Sequence, residues 1–188
     1  MPNMIDPATV TVLFADLQKG IVDMSETETR RQVIKAAAAM AKIADALGCP
    51  KFVTMVQAEP DAPELAGDLK DALADAPVFV RRSPHAFGHE PTSDAVKATG
   101  RNTVAICGVA SEIVVLHAAL GAIELGYTVY VLVDACGGLN ERTEAAAFRQ
   151  IERAGGVTTS VASFATSLVR DFTTPEGGAV IGAIMAMR

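Results

Sequence analysis

The chain has 188 residues, half of them hydrophobic and 20% charged, with a formal net charge of -6 and a mean hydropathy of +0.30. That is the length of one domain, able to bury roughly 70% of the surface its unfolded form exposes, which excludes disorder and fibre. Net negative charge gives no global positive field for a nucleic-acid backbone or an anionic membrane, so the expected partners are small molecules and protein surfaces.

The N-terminus, Met1-Pro2-Asn3-Met4-Ile5-Asp6, shows neither a basic start nor an apolar run, so no signal peptide is read there. Residues 9–15 form an apolar strand that ends at Asp16, followed by Leu17 and Gln18. A carboxylate directly after a buried strand serves as a general base or metal ligand, or simply caps a turn. Residues 30–47 predict a helix, with Val33, Ala36, Met40, Ile43 and Leu47 at helical spacing and Gly48 to close it. A second strand over 51–56, a helix over 66–74 and a third strand over 78–81 follow. The third strand runs into Arg81, Arg82, Ser83, Pro84, His85, Ala86 and Phe87, and one of its two arginines can face Asp16 across the sheet.

After a helix over 92–98, the fourth strand, 103–107, ends in Gly108-Val109-Ala110-Ser111-Glu112. Gly108 permits a tight turn, Ser111 can cap the next helix, and the free N–H groups of its first turn make an anion or oxyanion site. An ordinary strand-turn-helix junction has the same needs. The helix that follows, 112–125, is apolar nearly all round, so it needs cover from the sheet and from a second surface, expected to be another subunit. The fifth strand, 128–133, ends at Asp134-Ala135-Cys136-Gly137-Gly138, where Asp134 is expected to anchor its loop by hydrogen bonding. A helix over 142–154 and a strand over 157–161 complete six β-α units.

The apolar C-terminal segment 176–188, with its uncharged run 179–187, is too short to span a membrane. It either meets a second subunit or folds back over its own domain. There is no repeat or linker, so residues 1–188 read as one domain. Apolar strands separated by helices predict an α/β architecture, a three-layer Rossmann-like sandwich on a six-stranded parallel sheet, with ligands at the carboxyl ends of the strands. Cys49, Cys107 and Cys136 form no paired motif, which suits a reducing cytoplasm and excludes a disulfide framework. His85, His89 and His117 have no metal-binding spacing, and His117 reads as a core or interface histidine. Neither a Walker A pattern nor a G-x-G-x-x-G follows the first strand, so no cofactor is expected.

Taken together the strand ends resemble the isochorismatase-like cysteine hydrolases. The resemblance lies in Val12-Leu13-Phe14-Ala15-Asp16-Leu17-Gln18, in Phe79-Val80-Arg81 leading to His85-Ala86-Phe87, in Gly108-Val109-Ala110-Ser111-Glu112, and in Gly126-Tyr127 before Val133-Asp134-Ala135-Cys136. It spans about residues 10–172 and implies strand order 3-2-1-4-5-6. It also implies a site in which an aspartate after strand one takes a thiol proton and a lysine ending strand three holds the charge pair. A cysteine at the helix after strand four then attacks an amide, ester or related carbon. Carried over, these positions fall on Asp16, Arg81 and Val114. His85 stands where a serine is usual, and Ser111 and Glu112 match a threonine and an acidic residue.

Valine offers no nucleophilic atom, and arginine is expected to pair bidentately with Asp16 and to stay charged. An aspartate so paired should have a lowered pKa. Cys107 falls inside a strand, and Cys136, the better placed thiol, has no evident base. The resemblance further implies a non-proline cis peptide between Val109 and Ala110. Metal-dependent relatives carry histidines after strand two, whereas Gln57-Ala58-Glu59-Pro60-Asp61-Ala62-Pro63 has none, so no metal is expected. Two functional readings follow. One is a degenerate site whose pocket, framed by Asp16, Gln18, Arg81, His85, Phe87, Ala110, Ser111 and Glu112, binds a small ligand or serves assembly only. The other is a hydrolase in which Asp16 activates water and the Ala110 turn stabilises the oxyanion. Either is expected to be a homo-oligomer, a dimer or larger.

Overall fold

The computed structural model describes residues 4–57, 60–67 and 69–188. Met1, Pro2, Asn3, Ala58, Glu59 and Asp68, which the sequence reading touched, lie outside the described residues. Six parallel strands, β1 (Val10–Ala15), β2 (Lys51–Val56), β3 (Val78–Arg81), β4 (Thr103–Val109), β5 (Thr128–Gly137) and β6 (Val157–Thr159), form one sheet in the order β3-β2-β1-β4-β5-β6. The predicted architecture and strand order are those observed.

Strand alternation builds both core layers. Along β1, Val10, Val12 and Phe14 face one side while Leu13 and Ala15 face the other, all within 1% of full burial. The first layer is closed by α1 (Arg30–Ala46), α2 (Leu69–Ala72), α6 (Val161–Ser167) and α7 (Pro175–Met185), through Val33, Met40, Leu69, Phe164 and Val180. The second is closed by α3 (Glu90–Ala98), α4 (Leu116–Glu124) and α5 (Glu141–Arg153), through Val96, Ala118, Ala122 and Ile151. Helix α1 starts where the Thr29 hydroxyl accepts from the Gln32 N–H, and it stops before Gly48 at φ +63°, a left-handed position where glycine avoids the steric cost of a side chain.

Several boundaries differ from expectation. The helix after β4 opens with a π-helical turn, Ser111–Val115, before α4 begins. Strand β5 runs on to Gly137, because the β4–β5 register shifts between Ile106 and Gly108 and pairs Val109 with Gly137; Asp134 therefore lies inside a strand. The sixth strand stops at Thr159, since Ser160 caps α6 by accepting from the Ser163 N–H. The C-terminal segment takes the second of its two expected courses: α7 lies on α1, buries Val180 and Ala183, and brings the Arg188 carbonyl to Lys35 Nζ at 2.8 Å. Among the described residues no helix is long and apolar enough to cross a membrane.

Candidate active site

The carboxyl ends of β1, β3 and β4 converge on one cavity. Asp16 leaves β1 at φ +54°, a conformation that aspartate tolerates better than most side chains, and its N–H donates to the Thr54 carbonyl of β2 at 2.9 Å. Gln18 fixes the next turn, its amide donating to the Val56 carbonyl and accepting the Val56 N–H, both at 2.9 Å. Gly108 is required here for a reason other than a tight turn: a Cβ would sit 2.5 Å from the Ala15 carbonyl oxygen, so only glycine lets β4 approach β1 beside Asp16.

Arg81 meets Asp16 as the sequence led us to expect, but through one hydrogen bond. Nη2 donates to Asp16 Oδ2 at 2.7 Å, with the two side chains only 1% and 7% exposed. The bidentate pairing does not form, because Nη1 is committed to the Ser83 carbonyl. Asp16 Oδ1 and Arg81 Nε are left buried without a partner. The expected lowering of the Asp16 pKa is reversed as well. Burial withdraws water from the carboxylate more than the Arg81 charge and hydrogen bond compensate, and the pKa is pushed up to about 6.

The cavity, about 220 Å³, has these two residues at its buried end. Ile21, Met24, Val56, Val109, Ile113 and Val114 form an apolar wall, and Arg82, Ser83 and Pro84 complete it. Asp16, Arg81, Val109, Ala110 and Val114 are thus brought together. The Val109–Ala110 peptide is cis, and the π-helical turn beyond it is closed by the Val115 N–H donating to the Ala110 carbonyl at 3.4 Å.

Other predicted residues lie elsewhere. Ser111 is no cap: its hydroxyl donates to Glu144 Oε1 at 2.7 Å, because the helix N-terminus falls at Ala110. The Glu112 carboxylate accepts from the N–H groups of Leu139 and Asn140 and from the Thr143 hydroxyl, which ties the turn to the start of α5. His85 packs on His117 with ring centroids 4.5 Å apart, and burial together with His85 lowers the His117 pKa. Phe87 packs on Tyr127. Asp134 Oδ1 accepts the Val161 N–H at 2.8 Å and so anchors α6. Cys107 and Cys136 are fully buried, and burial pushes both thiols well up from their ordinary pKa. Ile21, Met24, Val56 and Ile113 escaped the sequence reading; the available signal was a pair of apolar residues, Ile21 and Met24, in the loop just after the Asp16 turn. Among the described residues no group of three or more histidine, cysteine, aspartate or glutamate side chains is placed to hold a metal ion.

A six-stranded parallel sheet with a buried ion pair and a strand-to-helix turn at its carboxyl edge defines the class, an α/β protein with a ligand cavity where such sheets bind their ligands. The isochorismatase domain family matches residues 10–163, and the chain belongs to that family of hydrolases. It is 31% identical over 170 residues to the probable hydrolase YcaC of Escherichia coli K12, covering 89% of this chain and 81% of that protein. YcaC from Pseudomonas aeruginosa, solved with hexane-2,5-diol and covalent acrylamide, superposes with a TM-score of 0.88 at 28% identity, over 97% of this chain and 92% of that one. The structure of the Escherichia coli YcaC product, described as an octameric hydrolase of unknown specificity, superposes with a TM-score of 0.86 at 28% identity, over 98% and 88%.

Proposed function

We propose that this is a single-domain isochorismatase-family protein whose Asp-Lys-Cys site is degenerate, as Asp16, Arg81 and Val114, and whose cavity binds a small molecule without acyl-cysteine hydrolysis. The observation that carries the reading is Val114 in the cavity wall beside the Asp16–Arg81 pair, with no thiol among the lining residues. Cys107 and Cys136 do not substitute, since a fully buried thiol with a raised pKa supplies almost no thiolate. No cofactor or metal enters this reading. The three buried free thiols support a reducing, cytoplasmic setting. Homo-oligomerisation is part of the proposal, supported by exposed apolar side chains such as Leu125 and by the octamer described for the Escherichia coli relative.

Purified protein is expected to show no iodoacetamide-sensitive hydrolysis of nicotinamide, isochorismate or simple amides and esters. Thiol-dependent turnover by the unmodified chain would overturn the proposal.

One observation favours a second reading, a hydrolase acting by a non-cysteine route. A carboxylate with a pKa of about 6 lies near the range in which a general base works at neutral pH, and Asp16 lines the cavity beside the Ala110 turn. Turnover that resists iodoacetamide and disappears in Asp16→Asn would establish that route.

A further inference from the structure

Among the described residues, Arg82 is the charge at this cavity that has no counter-ion. Asp16 and Arg81 neutralise one another at the buried end. Arg82, the next residue, is exposed yet lines the same cavity, and among the described residues it takes part in no ion pair. The turn that presents it is held in place, because the Arg81 side chain bonds to the Ser83 carbonyl beyond it. The rest of the wall is chiefly hydrocarbon, with Ile21, Val56, Val109 and Val114 among its members. At the inner end, Asp16 Oδ1 and Arg81 Nε are polar atoms without partners, in side chains more than nine-tenths buried. Those atoms are shielded from solvent, so a ligand in the cavity meets its charge at the rim.

We propose that the cavity selects small apolar monocarboxylates, with the carboxylate on Arg82 at the rim and the hydrocarbon body along the Val114 wall, and that Arg82 sets this selectivity. The inference rests on the small-molecule binding proposed above and adds the charge class of the ligand. A planar guanidinium offers two parallel donors that match a carboxylate, which an alcohol or a neutral amide does not exploit. A volume of 220 Å³ corresponds to about seven waters of liquid, enough for a single ring or a short chain and too small for a nucleotide. The net charge of -6 does not oppose this at close range, since charges farther away than about 8 Å are largely screened at physiological ionic strength.

The test is isothermal titration at pH 7.5 with benzoate and benzamide, which are alike in shape and differ in charge. The unmodified protein is expected to bind benzoate about tenfold more tightly, as a charge-assisted contact allows. Arg82→Gln should bring benzoate down to the level of benzamide, and added salt should weaken benzoate alone. Val114→Phe, which fills the cavity from its wall, should abolish both. If benzamide binds as well as benzoate, or if the preference survives in Arg82→Gln, the charge selectivity is overturned while the cavity remains a ligand site. If neither probe binds, or if binding is indifferent to Val114→Phe, small-molecule binding in this cavity and the selectivity built on it fall together.

Discussion

Asp16 holds its proton more tightly than a solvated aspartate because one hydrogen bond from Arg81 does not replace the water that burial removes. Its folded pKa, about 6, lies above the ordinary 3.8, so between those values the native state keeps a proton that the unfolded chain has released. Its contribution to stability is therefore fully present below about pH 3.8 and is lost as pH rises through about 6, a change of about 3 kcal/mol. Carboxylates whose pKa is lowered by neighbouring lysines, such as Glu64 and Asp75, run the opposite way, so the measurement is a difference. The melting temperature of the native protein minus that of Asp16→Asn should fall from pH 4 to pH 7; parallel profiles would place the Asp16 titration outside this window. That Asp16, Arg81 and Val114 line one cavity was legible in the sequence, because each lies at or beyond the carboxyl end of a strand in one sheet. The direction of the Asp16 shift was not, since it depends on how deeply the pair is buried and on the loss of Arg81 Nη1 to Ser83, and neither is written in the local pattern.

At the level of elements, continuously apolar runs between helices made the parallel sheet readable, and Gly48 marked the end of α1. What escaped was set by contacts distant in sequence. The extension of β5 depends on its shifted register against β4, and the π-helical turn is tied across to α5 by Ser111 and Glu112. Helices α6 and α7 did carry local signals, the caps Ser160 and Thr174, the latter followed by Pro175 at the first helical position. The Glu112 contacts lead to a direct expectation. One carboxylate serves two backbone N–H groups and a hydroxyl, and hydrogen bonds to a charged group contribute about 1.5–3 kcal/mol each at best. Because the site is partly exposed and water replaces some of that, Glu112→Ala should cost about 1–2 kcal/mol. The amides of Leu139 and Asn140 should exchange faster in the variant, as read by hydrogen exchange. Unchanged protection at those two amides would show that the connection into α5 is held by its other contacts.

Across the whole molecule, the apolar surface that remains exposed bears on the proposed homo-oligomer. The C-terminal helix buries Val180 and Ala183 against α1 and leaves only Met185 of its large apolar side chains exposed. Two apolar faces stand out among the described residues. One is the edge strand β3, whose Val78 and Val80 are 48% and 44% exposed; the other is the outer side of the helix after β4, ending in Leu125 at 56%. A parallel edge strand is a natural pairing site. Yet β3 is four residues long and is followed at once by the exposed, charged Arg82, which limits its use. On the α4 side Leu120 and Ile123, three residues apart, are partly exposed, and Leu125 stands beyond the helix end, apolar area that a symmetric copy can cover. Light scattering should therefore give a mass that is a multiple of 19.6 kDa and unchanged on dilution through the micromolar range. Leu120→Glu combined with Leu125→Glu should lower that mass, while Val78→Lys combined with Val80→Lys should leave it unaltered. The reverse pattern would move the interface to the sheet edge, and a native mass near 19.6 kDa would mean that α4 meets solvent on its outer face.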